Sequence, residues 1–241
     1  MFNDISEREF SLSDIMVKGW SVYCQQFKNL AILILITSLP IYIIISILPN
    51  DTSELNYIRI AMVIAGSSLS IIGYVGVIFL AESAVKNNNT EISWGLAISK
   101  ALTRFGSLAI TSLLAGLIVI GLSLLLVIPG IIWFVYYTFF AQFVVLRGMR
   151  GKAALSSSKA LVEGRWWKVF SLNLITILIS ISLNWGNECL LLLLPKALNI
   201  ITATCLDILG VGFSTVVMTV FFLNLDSIGV KDGKPENGVD E

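Results

Sequence analysis

The chain has 241 residues, of which 56% are hydrophobic and only 13% are charged, and its formal net charge is zero. A soluble globular domain carries about 25% charged residues, so this chain lacks the polar residues that would cover a soluble surface. The composition also excludes the disordered, collagen-like and disulfide-scaffold classes, and the neutral balance argues against a nucleic-acid partner. The sequence therefore predicts an all-α integral membrane protein.

Residues that carry chemistry are scarce. There is no histidine, which removes the commonest general base at neutral pH and the commonest metal ligand. The three cysteines are scattered and form no CxxC pair, and the sequence contains no GxSxG, P-loop or GxGxxG motif. We therefore expect no metal, no cofactor and no enzymatic activity.

Six apolar stretches are long enough to cross a bilayer, which takes about 20 residues. The first contains Pro40, which predicts a kink. No charged residue occurs between Arg104 and Arg147, and as one helix this stretch would be about twice as long as the hydrocarbon layer is thick. Pro129 and Gly130, near its middle, predict a helix break and a tight hairpin. The predicted spans are residues 29–49, 60–81, 107–127, 131–147, 169–193 and 200–224.

Lysine and arginine fall almost entirely on one side of this arrangement. If the N-terminus is cytoplasmic, all of the 16 basic residues except Arg59 and Lys196 lie in inner segments. The positive-inside rule favours this orientation. We therefore expect a multi-pass protein with both termini in the cytoplasm and with residues 225–241 as a polar cytoplasmic tail.

Three stretches that precede spans have the apolar spacing of amphipathic helices. The first, residues 11–27, begins with Ser11 and Asp14 in a capping-box pattern. We expect residues 11–27, 93–105 and 152–170 to form three interfacial helices along the membrane surface. Each would precede two spans, which predicts a threefold repeat within a single membrane domain. That domain covers residues 1–224, with units over 11–81, 90–147 and 152–224.

Glycines in two spans predict close helix packing. Gly66 and Gly73 lie among other small residues of the second span, and Gly116 and Gly121 lie in the third. Glycine at such positions lets two helix backbones approach each other, because it has no side chain to separate them.

Two acidic residues fall at membrane depth, where ionisable groups are expensive and mark functional sites. Glu188 lies in the fifth span and Asp207 in the sixth, at similar predicted depth, with Asn184 and Asn187 within one turn of Glu188. These four side chains could form an oxygen-rich pocket for a cation, a proton-exchanging pair or a contact to a lipid amine. In the alternative, each acid is isolated and is protonated or reaches outward to a basic residue of the outer loops.

The segment between the fourth and fifth spans is strongly basic and contains one acid, Glu163. Basic clusters beside a span attract anionic headgroups at about 1 kcal/mol per charge, so the segment predicts a site for anionic lipid. In the alternative, the same residues only set the topology. The candidate headgroup residues are Arg147, Arg150, Lys152, Lys159, Arg165, Trp166, Trp167 and Lys168.

The run from residue 124 to residue 170 carries a Pro-Gly pair and then the pattern Ala-Leu-x-x-Ser-x-x-Leu-x-x-Gly-Arg-x-Trp. The matching positions are Pro129, Gly130, Ala154, Leu155, Ser158, Leu161, Gly164, Arg165 and Trp167. This run resembles the YciC-like family of uncharacterised bacterial inner-membrane proteins, and the membrane domain fused to some glycerophosphoryl diester phosphodiesterases. The resemblance implies a six-span protein of the bacterial inner membrane. It does not imply the phosphodiesterase activity, which belongs to a separate barrel for which this chain has no room.

The sequence favours a non-enzymatic membrane protein that binds or organises lipid, or that serves as the membrane subunit of an assembly. Anionic lipids are the expected partners, with a protein partner or a second copy of the chain as a further option. The alternative function is a small transporter or channel that uses Glu188 and Asp207.

Overall fold

The computed structural model describes residues 8–47, 56–86, 93–191 and 198–231, and within these ranges it is helical with no strand. Six helical stretches are long and apolar enough to cross a membrane, which confirms the predicted all-α, six-span architecture. The helices are α1 (Leu12–Ile47), α2 (Asn56–Val85), α3 (Trp94–Leu125), α4 (Val127–Tyr136), α5 (Phe140–Arg147), α6 (Lys152–Val162), α7 (Trp166–Leu191), α8 (Asn199–Asp207) and α9 (Phe213–Lys231). A π-helical turn, Ile208–Gly212, joins α8 to α9.

These helices make up the six spans in order. The helices α1, α2 and α3 are the first three spans, α4 and α5 together are the fourth, α7 is the fifth, and α8 with α9 is the sixth. The last helix continues past residue 224 to Lys231. Lys196, the side chain of Arg59 and residues 232–241 of the predicted tail lie outside the described residues.

Two of the three predicted interfacial helices are not separate elements. Residues 12–27 and 94–105 are the first turns of α1 and α3, which run without interruption for 36 and 32 residues. Neither stretch contains a proline, so nothing ends the helix before its span begins. Only the third is a separate helix, because Gly151 and Gly164 at the two ends of α6 adopt positive φ angles of 53° and 84°. It is shorter than the predicted 152–170, since α6 ends at Val162 and residues 166–170 begin α7. It also buries one face, including Ala154 and Leu155, against the protein.

The start of α1 has the predicted capping box. The Asp14 backbone N–H donates to Ser11 Oγ at 3.2 Å, and the Ser11 N–H donates to Asp14 Oδ2 at 3.1 Å. Each side chain thereby satisfies a backbone donor that the helix leaves unpaired. Further along, α1 continues through Pro40 to Ile47.

The two described ends of the chain meet at one end of the bundle. The Phe10 N–H donates to Asn224 Oδ1 at 2.9 Å, and Asn224 Nδ2 donates to the Arg8 carbonyl at 3.0 Å. Arg147 and Asp226 form an ion pair at the same end of α9. We call this end, which holds Arg8 and Arg147, the basic end, and the other the opposite end.

The hairpin between the third and fourth spans breaks three residues earlier than predicted. The extended residue is Leu126, with φ −156° and ψ 130°, whereas Pro129 and Gly130 lie in the first turns of α4. Proline is tolerated there because the first backbone N–H groups of a helix have no partner within it. A Cβ at Gly130 would overlap Ser123 Oγ. Gly130 therefore lets α3 and α4 pack closely and does not itself turn the chain.

The glycines of the second span lie against α1 as predicted. A Cβ at Gly73 would overlap the Thr37 hydroxyl, and one at Gly66 would overlap the side chain of Ile41. In the third span the prediction is wrong, because a Cβ at Gly116 or Gly121 would meet no atom of the described residues within 4 Å. The physical reason is that α3 is loosely packed: only 17% of its span is buried, against 67% of the sixth.

The sixth span is the centre of the packing. The Phe139 ring lies edge-on to Phe221 with 5.7 Å between ring centroids, and Phe143 meets Phe222 in the same way at 5.0 Å. These rings join the fourth span to the sixth at the basic end. The predicted single helix over 131–147 is nevertheless interrupted, since α4 ends at Tyr136 and α5 begins at Phe140.

We expect Gly73→Val to destabilise the protein by about 1–3 kcal/mol, because the added methyl groups overpack the contact with Thr37. Gly121→Val is the matched control, since it carries the same helix-propensity cost and a Cβ there meets no described atom within 4 Å. Thermal unfolding of both purified variants in the same detergent measures the difference. Equal melting temperatures for the two variants would show that the α1–α2 contact does not limit stability.

Candidate functional site: a polar groove along the fifth span

The fifth span carries a regular stripe of polar side chains. Its members recur every three or four residues, which places them on one face of α7. Two are an asparagine and a threonine of the first half, and three are a serine and two asparagines of the second half. They are Asn173, Thr176, Ser180, Asn184 and Asn187.

Three adjacent cavities follow this stripe. The cavity at the basic end has a volume of about 430 Å³, the middle one about 330 Å³ and the one at the opposite end about 190 Å³. Thr176 and Ser214 line both of the first two, and Ser180 and Asn184 line both of the last two. The stripe and the three cavities therefore form one continuous surface, which we call the α7 groove.

The cavity at the opposite end holds the acid of the sixth span. The Tyr42 hydroxyl donates a hydrogen bond to Asp207 Oδ2 at 2.7 Å, and Ser38 also bonds to this carboxyl group. Directly after Asp207 the chain forms the π-helical turn. The Tyr23 hydroxyl donates to the Ile208 carbonyl of this turn at 3.1 Å. Turns of this kind often occur at functional sites.

The structure brings together three of the four intramembrane residues that the sequence predicts. Asn184, Asn187 and Asp207 line the same cavity. Asn187 Oδ1 is buried and has no hydrogen-bond partner within the described part of the chain. Glu188 is exposed and is not among the residues that line this cavity. Of the predicted pair of carboxylates, the lining of this cavity therefore includes Asp207 and not Glu188.

The cavity at the basic end lies beside the interruption between α4 and α5. Ser158 of α6 bridges the interruption: its hydroxyl donates to the Tyr136 carbonyl at 2.8 Å and accepts the Phe139 N–H at 3.1 Å. On the other side, Asn173 Nδ2 donates to Thr138 Oγ1 at 2.8 Å and to the Val169 carbonyl at 3.0 Å. Non-helical backbone at membrane depth is tolerated where protein groups satisfy it in this way.

Two polar atoms in the lining of this cavity lack partners. Gln142 is only 1% exposed, and its Oε1 has no hydrogen-bond partner among the described residues. Ser214 Oγ is buried and equally unpartnered within the described ranges. Buried polar atoms are hydrogen-bonded in the large majority of cases. These two atoms therefore mark the cavity as a place that a polar group can enter.

Half of the predicted headgroup residues bind other parts of the protein. Glu9 accepts hydrogen bonds from Arg165 Nε at 2.8 Å and from Lys168 Nζ at 2.7 Å, which ties the N-terminal segment to the start of α7. Burial by itself would raise the pKa of the Glu9 carboxyl, but the bonds and charges of Lys168 and Arg165 outweigh it and hold the pKa below its usual range. Arg147 pairs with Asp226, and the Lys159 ammonium lies 5.0 Å from the centre of the Trp133 ring.

The other predicted headgroup residues are more accessible. Arg150 and Lys152 are exposed, and neither forms an ion pair with a residue that the structure describes. Trp167 is exposed, whereas the Trp166 ring stacks on Phe170 at 5.1 Å between centroids. The predicted cluster is thus divided into a structural part and an accessible part.

Sequence reasoning missed three residues of the site. Tyr42 and Gln142 carry polar groups within apolar spans. A polar group at membrane depth is the signal that identified Asp207, and the same signal could have identified these two residues. Ser158 belongs to the Ala-Leu-x-x-Ser pattern of the sequence analysis. Nothing in its own segment indicates that its hydroxyl bonds to the backbone of Tyr136 and Phe139 in the preceding span. Among the described residues, no group of three acidic or thiol side chains converges as metal ligands would.

The fold and the groove define the chain as a six-span α-helical membrane protein. Residues 52–225 match the domain of unknown function DUF7847. Because the match covers more than two thirds of the chain, the protein belongs to this family, and the matched region runs from α2 to the last turns of the sixth span. No curated protein and no solved structure matches the chain.

We expect Ser158→Ala to lower the stability by about 1–3 kcal/mol, because it leaves two buried backbone groups of the fourth span without a partner. Ser156→Ala is the control, since Ser156 is exposed on the same helix. Ser158→Thr keeps the hydroxyl and should restore part of the loss. Thermal unfolding in detergent measures all three, and a Ser158→Ala protein that melts with the control would contradict the bridging role.

Proposed function

We propose that the protein is a non-enzymatic lipid-binding protein and that the α7 groove holds a polar headgroup. The observation that carries this proposal is the second half of the polar stripe, where Asn184 is exposed and Ser180 partly exposed beside apolar side chains. Ile177, Ile181 and Trp185 line the middle cavity and are exposed, Trp185 to 74%. Such a surface offers aliphatic contact to acyl chains. The Ser180 hydroxyl and the Asn184 amide each donate to a backbone carbonyl one turn earlier, and their oxygens can accept hydrogen bonds from a headgroup.

The proposed lipids are anionic, as the basic segment suggests. Arg150 and Lys152 are the residues that support this preference, because the other basic side chains of the segment contact Glu9, Asp226 or aromatic rings. Basic side chains beside a span attract anionic headgroups at about 1 kcal/mol each. A place in the bacterial inner membrane with the basic end toward the cytoplasm, and kinship with YciC-like proteins, belong to the same proposal.

Native mass spectrometry of the purified protein in mild detergent, with phosphatidylglycerol or phosphatidylethanolamine added, tests this function. We expect the wild type to retain lipid. Ser180→Leu should bind it about fivefold more weakly, the effect of one lost hydrogen bond worth about 1 kcal/mol. Neutralising Arg150 and Lys152 together as Arg150→Gln and Lys152→Gln should remove the preference for phosphatidylglycerol.

Ser182→Leu is the matched control. Ser182 is exposed on α7 two residues from Ser180, and it is not among the residues that line the three cavities. Equal lipid retention by the two leucine variants would contradict headgroup binding in the groove. A wild type that carries no lipid, or only a second copy or another protein, would favour the role of a subunit in an assembly.

A small transporter is the second candidate, and the surroundings of Asp207 favour it. One carboxylate with hydroxyl and amide neighbours suits proton exchange. In vesicles loaded with a pH-sensitive dye, we expect Asp207→Asn to abolish proton flux and Glu188→Gln to leave it unchanged, since Glu188 does not line the Asp207 cavity. Unchanged flux in Asp207→Asn, or no flux in the wild type, would remove this candidate.

A further inference from the structure

The α7 groove extends over most of the thickness of a bilayer. Asn173 and Asn187 are 14 residues apart on one helix, which corresponds to about 21 Å of a hydrocarbon layer that is roughly 30 Å thick. Gln142 continues the polar surface toward the basic end, five residues before Arg147 on its own span. Asp207 continues it at the opposite end.

The surface is continuous between these two ends. The middle cavity shares Thr176 and Ser214 with the cavity at the basic end, and it shares Ser180 and Asn184 with the cavity at the opposite end. Asn184 is exposed and Ser180 is partly exposed. A group bound at Asn184 therefore has another polar side chain about one helical turn away at Ser180 and again at Thr176, and its apolar chains can lie against the exposed Ile177 and Ile181.

Polar side chains follow one face of the groove, most of the remaining lining is apolar, and the lining is almost uncharged. Among the described residues that line the three cavities, Asp207 alone carries a formal charge. Hydroxyl and amide groups can hydrogen-bond to the phosphate, glycerol or amine of a headgroup, and none of them is a counter-charge that would hold it. Passage along a path requires several successive sites, each of which binds the moving group strongly enough for it to enter and weakly enough for it to leave.

Gln142 and Ser214 supply an independent observation. Gln142 is 99% buried, yet its Oε1 and the buried Ser214 Oγ have no partner among the described residues. Both side chains line the cavity at the basic end of the groove. The residues that the structure describes therefore leave hydrogen-bonding capacity unused beside this cavity.

We infer that the protein is a phospholipid scramblase, in which headgroups move between the leaflets along the α7 groove while the acyl chains stay in the bilayer. The barrier to such movement in a pure bilayer is the removal of the headgroup from water. The polar stripe lowers this barrier by replacing the water contacts in sequence. The inference rests on the proposed lipid binding and adds transbilayer movement, which needs no energy source.

The test uses the full chain reconstituted into phosphatidylcholine vesicles with a trace of fluorescent phosphatidylcholine or phosphatidylglycerol labelled in the chain region with NBD. Dithionite bleaches only the outer leaflet unless lipid exchanges. We expect the wild type to expose the inner-leaflet probe to bleaching and Ser180→Leu to slow this exchange about tenfold or more. Ser182→Leu should behave as the wild type, and vesicles without protein should show no exchange.

The outcomes separate the inference from the proposed function. A wild type that retains lipid in the mass spectrometer but does not exchange it overturns scrambling and leaves lipid binding intact. A wild type that does neither overturns both. Equal exchange by the two leucine variants, at equal melting temperatures, shows that the groove is not the path. Bleaching of a water-soluble NBD–glucose trapped inside would reveal a pore and would also overturn the inference.

Discussion

The structure depends on the hydrogen bonds that the backbone groups make where the fourth span is interrupted, between α4 and α5. At membrane depth no bulk water is available to an unpaired backbone group, so each must find a partner in the protein. The Ser158 hydroxyl takes both roles at once, as donor to Tyr136 and as acceptor from Phe139. This draws α6 against the interruption, and Thr138 becomes a partner of Asn173 on α7. The largest cavity of the groove lies beside this contact, and Thr138 and Asn173 both line it.

Several charged side chains at the basic end form ion pairs within the protein and are therefore not free to bind a ligand. Glu9 holds Arg165 and Lys168, and Asp226 holds Arg147, so the two ends of the chain are joined to the fourth and fifth spans. The positive-inside pattern counts these basic residues without regard to their partners. The accessible positive charge of this segment is therefore smaller than the sequence suggests, and within the predicted set it is concentrated at Arg150 and Lys152.

The groove combines residues that are far apart in the chain. Tyr42 of the first span, Asn184 of the fifth and Asp207 of the sixth meet in one cavity, although they are separated by 165 residues at the extreme. Sequence patterns could predict that Asp207 and the asparagines are unusual for their depth. They could not predict that Tyr42 lines this cavity and that Glu188 does not, since the rotation of each helix is set by its packing against the others.

The sequence by itself determined the class of protein, the six spans and the capping box at Ser11, because apolar length and short-range hydrogen bonding are local properties of the chain. It also indicated that Gly73 permits a close helix contact, but it treated Gly116 in the same way, since a glycine does not reveal whether a neighbour is present. The tertiary structure alone decided the turn at Leu126, the role of Ser158, the pairing of the basic residues and the continuity of the groove. Each of these depends on contacts between helices, and such contacts follow from the free energy of the whole packed bundle.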